Sequence, residues 1–144
     1  MKKSIISFIV MFCVAFSAQI SNASCNHPSS SLIDAIISIE SNHNTYAVGD
    51  DGRSVGCLQI RPETVLDINR FANTNYTLND RYSKKKSIEM FVLYVKHYAK
   101  PSRIGRKPEN KDYARIWNGG PNGHTKKSTL TYWNKVCCLL NNRS

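Results

Sequence analysis

Glu40 occupies a position where a core residue is expected. Leu32, Ile33, Ile36 and Ile37 recur at the three- and four-residue spacing that lines one face of a helix, and Glu40 falls four residues after Ile36 and three after Ile37. Burial disfavours the charged form of a carboxyl group, so a Glu held against isoleucines keeps its proton towards neutrality. That is the state a general acid needs. The plain alternative is a Glu at a frayed helix end that turns into water. The segments that accompany Glu40 favour the first reading.

Three separated segments carry the pattern. The first is Glu40-Ser41-x-x-Asn44-x-x-Ala47, and the second is Ser54-x-Gly56-x-Leu58-Gln59-Ile60-x-Pro62. The third is Ile116-Trp117-Asn118-Gly119-Gly120-Pro121, followed by Tyr132. Taken together, and in this order, they resemble the catalytic domain of soluble lytic transglycosylases, the lysozyme-like fold shared with goose-type lysozyme. The first two motifs are specific at this separation, and the third is a looser match.

The resemblance implies roles that agree with the side-chain chemistry. Glu40 would protonate the glycosidic oxygen at a helix end that opens onto a sugar groove. Ser41 either positions that carboxyl group or bonds back to its own helix. Gly56 would let the backbone approach the substrate, with Leu58 beside it. Gln59 offers a donor and an acceptor suited to an N-acetyl group or a sugar hydroxyl. Asn118 would face the sugar next to the acid, and Trp117 stands where the family usually has Tyr, as a stacking or a core aromatic. Tyr132 matches a family tyrosine whose hydroxyl approaches the catalytic carboxyl group.

Many glycosidases use two carboxyl groups. In the lytic transglycosylases, as the resemblance implies, the 2-acetamido group of the substrate replaces the second one. The same Glu then closes a 1,6-anhydro ring on N-acetylmuramic acid without water. Goose-type lysozymes place an acid directly after their Gln-Val pair, where this chain has Arg61. Asp51, five residues before Gly56, lies near another acid of the goose-type enzymes, so water activation by Asp51 stays open. The leading expectation is a transglycosylase that cuts the β-1,4 bond between N-acetylmuramic acid and N-acetylglucosamine, and the alternative is a hydrolytic lysozyme. A non-catalytic wall-binding protein, suggested by the departures at Trp117, Cys57 and the Gly49-Asp50-Asp51-Gly52 loop, is a third reading, and a cationic antimicrobial acting by charge alone is a fourth.

The elements that must position these residues are helices. The expected fold is mainly α and lysozyme-like, with about five helices and at most a short β-hairpin, around Val55 to Ile60. A serine among Ser29 to Ser31 can cap the first helix, which ends near Asn42. Pro62 suits the first turn of a second helix, to about Phe71. The longest runs from about Ser83 to Ala99, with Ile88, Phe91, Val92, Val95 and Tyr98 or Ala99 on its buried face, and Pro101 ends it. Asn110 to Trp117 is a short helix stopped by Gly119-Gly120-Pro121, and the last spans roughly Ser128 to Leu140.

The chain of 144 residues has room for one domain, and 41% hydrophobic content supports a packed core. Lys2-Lys3, an apolar run from Ile5 to Ile20 and Ser21-Asn22-Ala23 read as an export signal over 1–23, leaving residues 24–144 as the lysozyme-like domain. The run is too short and too interrupted for a stable membrane span. The product is expected to be secreted or periplasmic, and monomeric. Cys13 leaves with the signal, and Cys25, Cys57, Cys137 and Cys138 imply two disulfides in an exported protein. Cys137 and Cys138 are adjacent on a helix and point about 100° apart, so each should reach back to Cys25 or Cys57. Zinc-type spacing is absent, and no metal or cofactor is expected. The net charge of +10, or +8 once Lys2 and Lys3 are removed, points to an anionic partner. The glycan strands of peptidoglycan fit it, whereas nucleic acid lacks any recognisable binding motif.

Overall fold

The computed structural model describes residues 27–142. The export signal over 1–23 and Cys25 lie outside the described residues. Helix α1 (Ser30–Ser41) starts where the Ser29 hydroxyl accepts the Leu32 N–H at 3.2 Å and stops at Asn42, which turns left-handed with φ 49°. Its apolar stripe is buried, Leu32, Ile36 and Ile37 almost completely, and Glu40 continues that stripe out of the core.

Two strands follow, β1 (Val48–Gly49) and β2 (Ser54–Val55), paired antiparallel with Val48 opposite Val55 and Gly49 opposite Ser54. This pair lies just upstream of the expected hairpin around Val55 to Ile60. Val55 and Ile60 themselves form an antiparallel bridge that closes a tight turn, with Val55 N–H to Ile60 O at 3.2 Å and Ile60 N–H to Val55 O at 2.9 Å. Gln59, at φ 48°, reverses the chain between them.

Helix α2 (Pro62–Ala72) begins with its proline in the first turn. Helix α3 (Lys84–Tyr98) buries Ser87, Met90, Phe91, Tyr94 and Val95. Its inward face is turned relative to the expected one, and Ile88 and Val92 are only partly buried. A four-residue helix, α4 (Pro101–Ile104), follows at the proline that ends α3 and stops at Gly105 with φ 80°. Helix α5 (Asn110–Gly119) starts in a capping box in which the Asp112 carboxylate accepts the Glu109 N–H at 2.9 Å. Two 3₁₀ turns (Gly123–Thr125 and Lys127–Thr129) lead into α6 (Leu130–Asn141), which packs on α1 and α5. Among the described residues the architecture is six helices with one small sheet, in which α1, α3 and α5 enclose Phe91, Ile36, Leu58 and Ile116.

Cys57, Cys137 and Cys138 carry free thiols, so the expected bridge from Cys57 to the last helix is not made. The reason is where the loop faces. Cys57 is 1% exposed and its thiol meets the Ser87 hydroxyl on α3, whereas α6 lies against α1 and α5. Burial pushes the Cys57 thiol pKa up, which keeps it protonated and unreactive.

A buried arginine holds the loop in place of a disulfide. Arg81 donates to Leu78 O at 2.8 Å, Arg53 O at 3.2 Å and Ile60 O at 3.1 Å, and so ties down the chain on both sides of Ser54 to Gln59. Its own carbonyl accepts from Ser87 Oγ at 2.8 Å. Arg81→Met leaves those carbonyls short of a donor and is expected to cost roughly 2–4 kcal/mol, read as a lower guanidinium midpoint.

Candidate active site

The last turn of α1, the hairpin loop, the start of α2 and the end of α5 surround a cleft of about 730 Å³ with a predominantly polar lining. Glu40, Gln59, Trp117 and Asn118, from three of the sequence motifs, all reach it. Tyr132 approaches Glu40 from α6 and donates its hydroxyl to Glu40 Oε1 at 2.7 Å. Burial raises the Glu40 pKa, the Tyr132 hydrogen bond partly offsets it, and the negative charge of Asp50 raises it further. The tyrosine hydroxyl is itself pushed strongly upward by burial and by the carboxylate, so it stays a donor.

Asp50 is the second carboxyl group in the cleft, and Asp51 is exposed and is not part of the lining. Both residues sit in the left-handed region, at φ 50° and 53°, which aspartate tolerates better than most side chains. Asp50 Oδ2 accepts from Ser54 Oγ at 2.6 Å, from Arg61 Nε at 3.0 Å and from Arg61 Nη2. The Ser54 hydrogen bond and then the Arg61 guanidinium hold its carboxyl below the usual range. Arg61, which replaces an acid of the goose-type pattern, thus serves a carboxylate eleven residues earlier in the chain.

The remaining candidates differ in what their positions offer. Ser41 Oγ donates to Ile37 O at 3.2 Å and to Cys57 O at 2.9 Å, which bonds it back to its helix and also fastens that helix to the loop. Gly56, at φ 81°, is buried against Arg81, and a Cβ there would lie 1.9 Å from the Arg81 carbonyl oxygen. The need for glycine comes from this contact inside the protein. Leu58 is fully buried in the core and does not line the cleft. Gln59 lines it, but its amide nitrogen donates to Gly56 O at 3.0 Å and Ala47 O at 3.3 Å, which sets the loop's shape. Trp117 combines both roles open to it, lining the cleft while its ring meets Phe91 edge-on at 4.9 Å and Tyr94 at 5.7 Å. Asn118 is exposed at the last turn of α5.

Sequence reasoning missed Asp50, Thr64, Tyr94, Lys126, Ser128 and Thr129 in the lining. Only Asp50 had a usable signal, being half of the Asp-Asp pair in the glycine-bounded loop. Among the described residues no group of His, Cys, Asp and Glu is arranged to hold a metal, and no helix is long and apolar enough to cross a membrane.

The cleft places a carboxyl group biased to stay protonated with one biased to stay ionised, the combination used to donate a proton to a leaving oxygen and to support attack or positive charge at the adjacent carbon. In such a pair the rate falls as pH rises through the acid's pKa and as pH falls through the base's. Tyr132→Phe removes an interaction that lowers the Glu40 pKa, so the alkaline limb of the pH–rate profile is expected to move to higher pH, with the acid limb in place. A shift to lower pH would contradict the role of that hydrogen bond.

No protein-family model matches the chain. It is 40% identical to a lysozyme of Ostrea edulis over 88 residues, which are 60% of this chain and 61% of that protein. The match thus spans about three fifths of the relative's length. A chain in the crystal structure of Aeromonas hydrophila PliI in complex with Meretrix lusoria lysozyme superposes with a TM-score of 0.64 and 29% identity, covering 76% of this chain and 88% of that one. Tapes japonica lysozyme superposes at 0.62 with 23% identity, over 75% and 87% of the two chains, a likeness of fold alone. The protein has a lysozyme-like fold, with a carboxyl pair in its cleft.

Proposed function

We propose that this chain is an exported muramidase that hydrolyses the β-1,4 bond between N-acetylmuramic acid and N-acetylglucosamine in peptidoglycan. Residues 1–23 act as its export signal and it works as a monomer on glycan strands. The observation that carries this reading is the presence of Glu40 and Asp50 in one cleft with their pKa values pushed in opposite directions. Glu40 is the general acid. Asp50 is the ionised partner, acting on water or on the sugar carbon.

A lytic transglycosylase needs no second carboxylate. Asp50, held ionised by Ser54 and Arg61, therefore weighs towards hydrolysis, and so does the similarity to lysozymes. Trp117, Asn118 and Gln59 contact the sugars, while Ser41, Gly56 and Leu58 hold the loop that carries Gln59. Mass spectrometry of purified peptidoglycan after digestion tests the reading. Reducing N-acetylmuramic acid ends support it, 1,6-anhydro ends replace it with transglycosylation, and an unchanged polymer removes both.

A further inference from the structure

Two basic side chains line the cleft, Arg61 and Lys126, and their surroundings differ. Arg61 is committed to Asp50. Lys126 makes no ion pair among the described residues, and its ammonium donates to the backbone oxygen of Gly119 at 2.6 Å, the last residue of α5. An ammonium has three donors, so two remain. With Glu40 biased towards its neutral form and Asp50 neutralised by Arg61, Lys126 is the cation of this cleft left without a counter-charge.

The mount of Lys126 is rigid for an exposed side chain. Its carbonyl accepts from Arg115 Nη2 at 2.8 Å and from Thr129 Oγ1 at 2.8 Å, and Arg115 is a buried residue that also donates to Thr129 Oγ1 at 2.9 Å. Its own N–H donates to Gly123 O at 3.1 Å. The aliphatic stem lies over Gly119, where a Cβ would come 3.6 Å from Lys126 Cδ. Most surface lysines lose rotamer entropy when they pair with an anion, whereas here backbone and stem are already positioned.

We propose that Lys126 is the specificity residue by which the cleft selects glycans that carry a carboxylate over neutral ones. The inference rests on the muramidase reading and adds how the same site tells its substrate from chitin. N-Acetylmuramic acid differs from N-acetylglucosamine by a lactyl ether on O3. That ether ends in a carboxylate when bare, and in peptidoglycan it extends into a peptide that bears carboxylates of its own. Chitin oligosaccharides have neither. A fixed ammonium in the lining of the cleft adds attraction for the anionic strands alone, and its absence leaves the contacts to the sugar rings as they were.

The test is calorimetric binding in a Glu40→Gln background, so that no ligand is turned over. Three ligands are used: a peptide-bearing peptidoglycan fragment, the same glycan freed of peptide, and an N-acetylglucosamine tetrasaccharide. Adding Lys126→Gln should weaken one or both anionic ligands by roughly fivefold and leave the neutral one unchanged. Loss confined to the peptide-bearing fragment assigns the carboxylate to the peptide, and loss with the peptide-free glycan assigns it to the lactyl group. Lys85→Gln on the exposed face of α3 controls for bulk charge. Equal loss on all three ligands, no loss on any, or the same loss from Lys85→Gln overturns the proposal. Since binding is read without turnover, digestion of peptidoglycan by the wild type reports separately on the muramidase reading.

Discussion

Glu40→Gln is expected to lower the rate of peptidoglycan cleavage by about 10³-fold, the range lost with a positioned general acid, while the fold stays intact. The carboxamide has the shape of the protonated acid, and its oxygen can still accept the Tyr132 hydroxyl that lies 2.7 Å from Glu40 Oε1. What disappears is the transferable proton. A second signature separates this from general damage. The folded pKa of Glu40 is raised above 4.5, mainly by burial. Its contribution to stability is therefore fully present below the unfolded value and is lost as pH rises through the folded pKa. The glutamine variant lacks that dependence, so its stability should fall less than the wild type's between acid and neutral pH. Chemical denaturation at the two pH values, together with turnover, checks both parts. Retention of near wild-type activity would remove Glu40 from the mechanism.

Asp50→Asn is the variant that separates the two chemistries, and a loss of roughly 10²–10⁴-fold is expected for hydrolysis. The amide still accepts from Ser54 but cannot carry the negative charge that Arg61 now stabilises. Asp51→Asn, one residue on, should be close to wild type because Asp51 is exposed and is not part of the cleft lining. A transglycosylase using Glu40 alone would survive Asp50→Asn and go on releasing anhydro ends. Sensitivity at Asp51 with tolerance at Asp50 would mean that the hairpin loop adopts another conformation when substrate binds.

The two variants also mark where sequence reasoning was sufficient and where it stopped. Glu40 was legible because its evidence is local. Four apolar residues at helical spacing fix which way the helix turns, and the next position on that face carries the carboxyl group. The helix starts and stops were readable for the same reason, from Ser29, Pro62 and the Gly119-Gly120 pair. The four-residue helix at Pro101 escaped notice because so short an element has no periodicity to read.

The reversal between Val55 and Ile60 was legible and closes as an antiparallel bridge, whereas the pairing of Val48 with Val55 was not, because two-residue strands leave almost no alternation. Gly56 and Leu58 looked like substrate contacts because they sit inside a motif. Their packing against Arg81 and the core could not be seen until α3 and the 3₁₀ turn before it (Leu78–Tyr82), which carries Arg81, were folded onto the loop. Cys57 has the same history, since only the packing of that loop on α3 turns its thiol away from the last helix.

A mainly helical domain with one carboxyl group stranded at the end of an apolar helix face follows from the residues alone, because periodicity and capping act over a few residues. That Asp50, rather than Asp51, shares the cleft with Glu40 comes from the folded chain. Two consecutive residues with positive φ send neighbouring side chains in different directions, and the one that enters the cleft is the one that meets Ser54 and Arg61. That choice depends on hydrogen bonds between residues four and eleven positions apart in the chain, which no local pattern records.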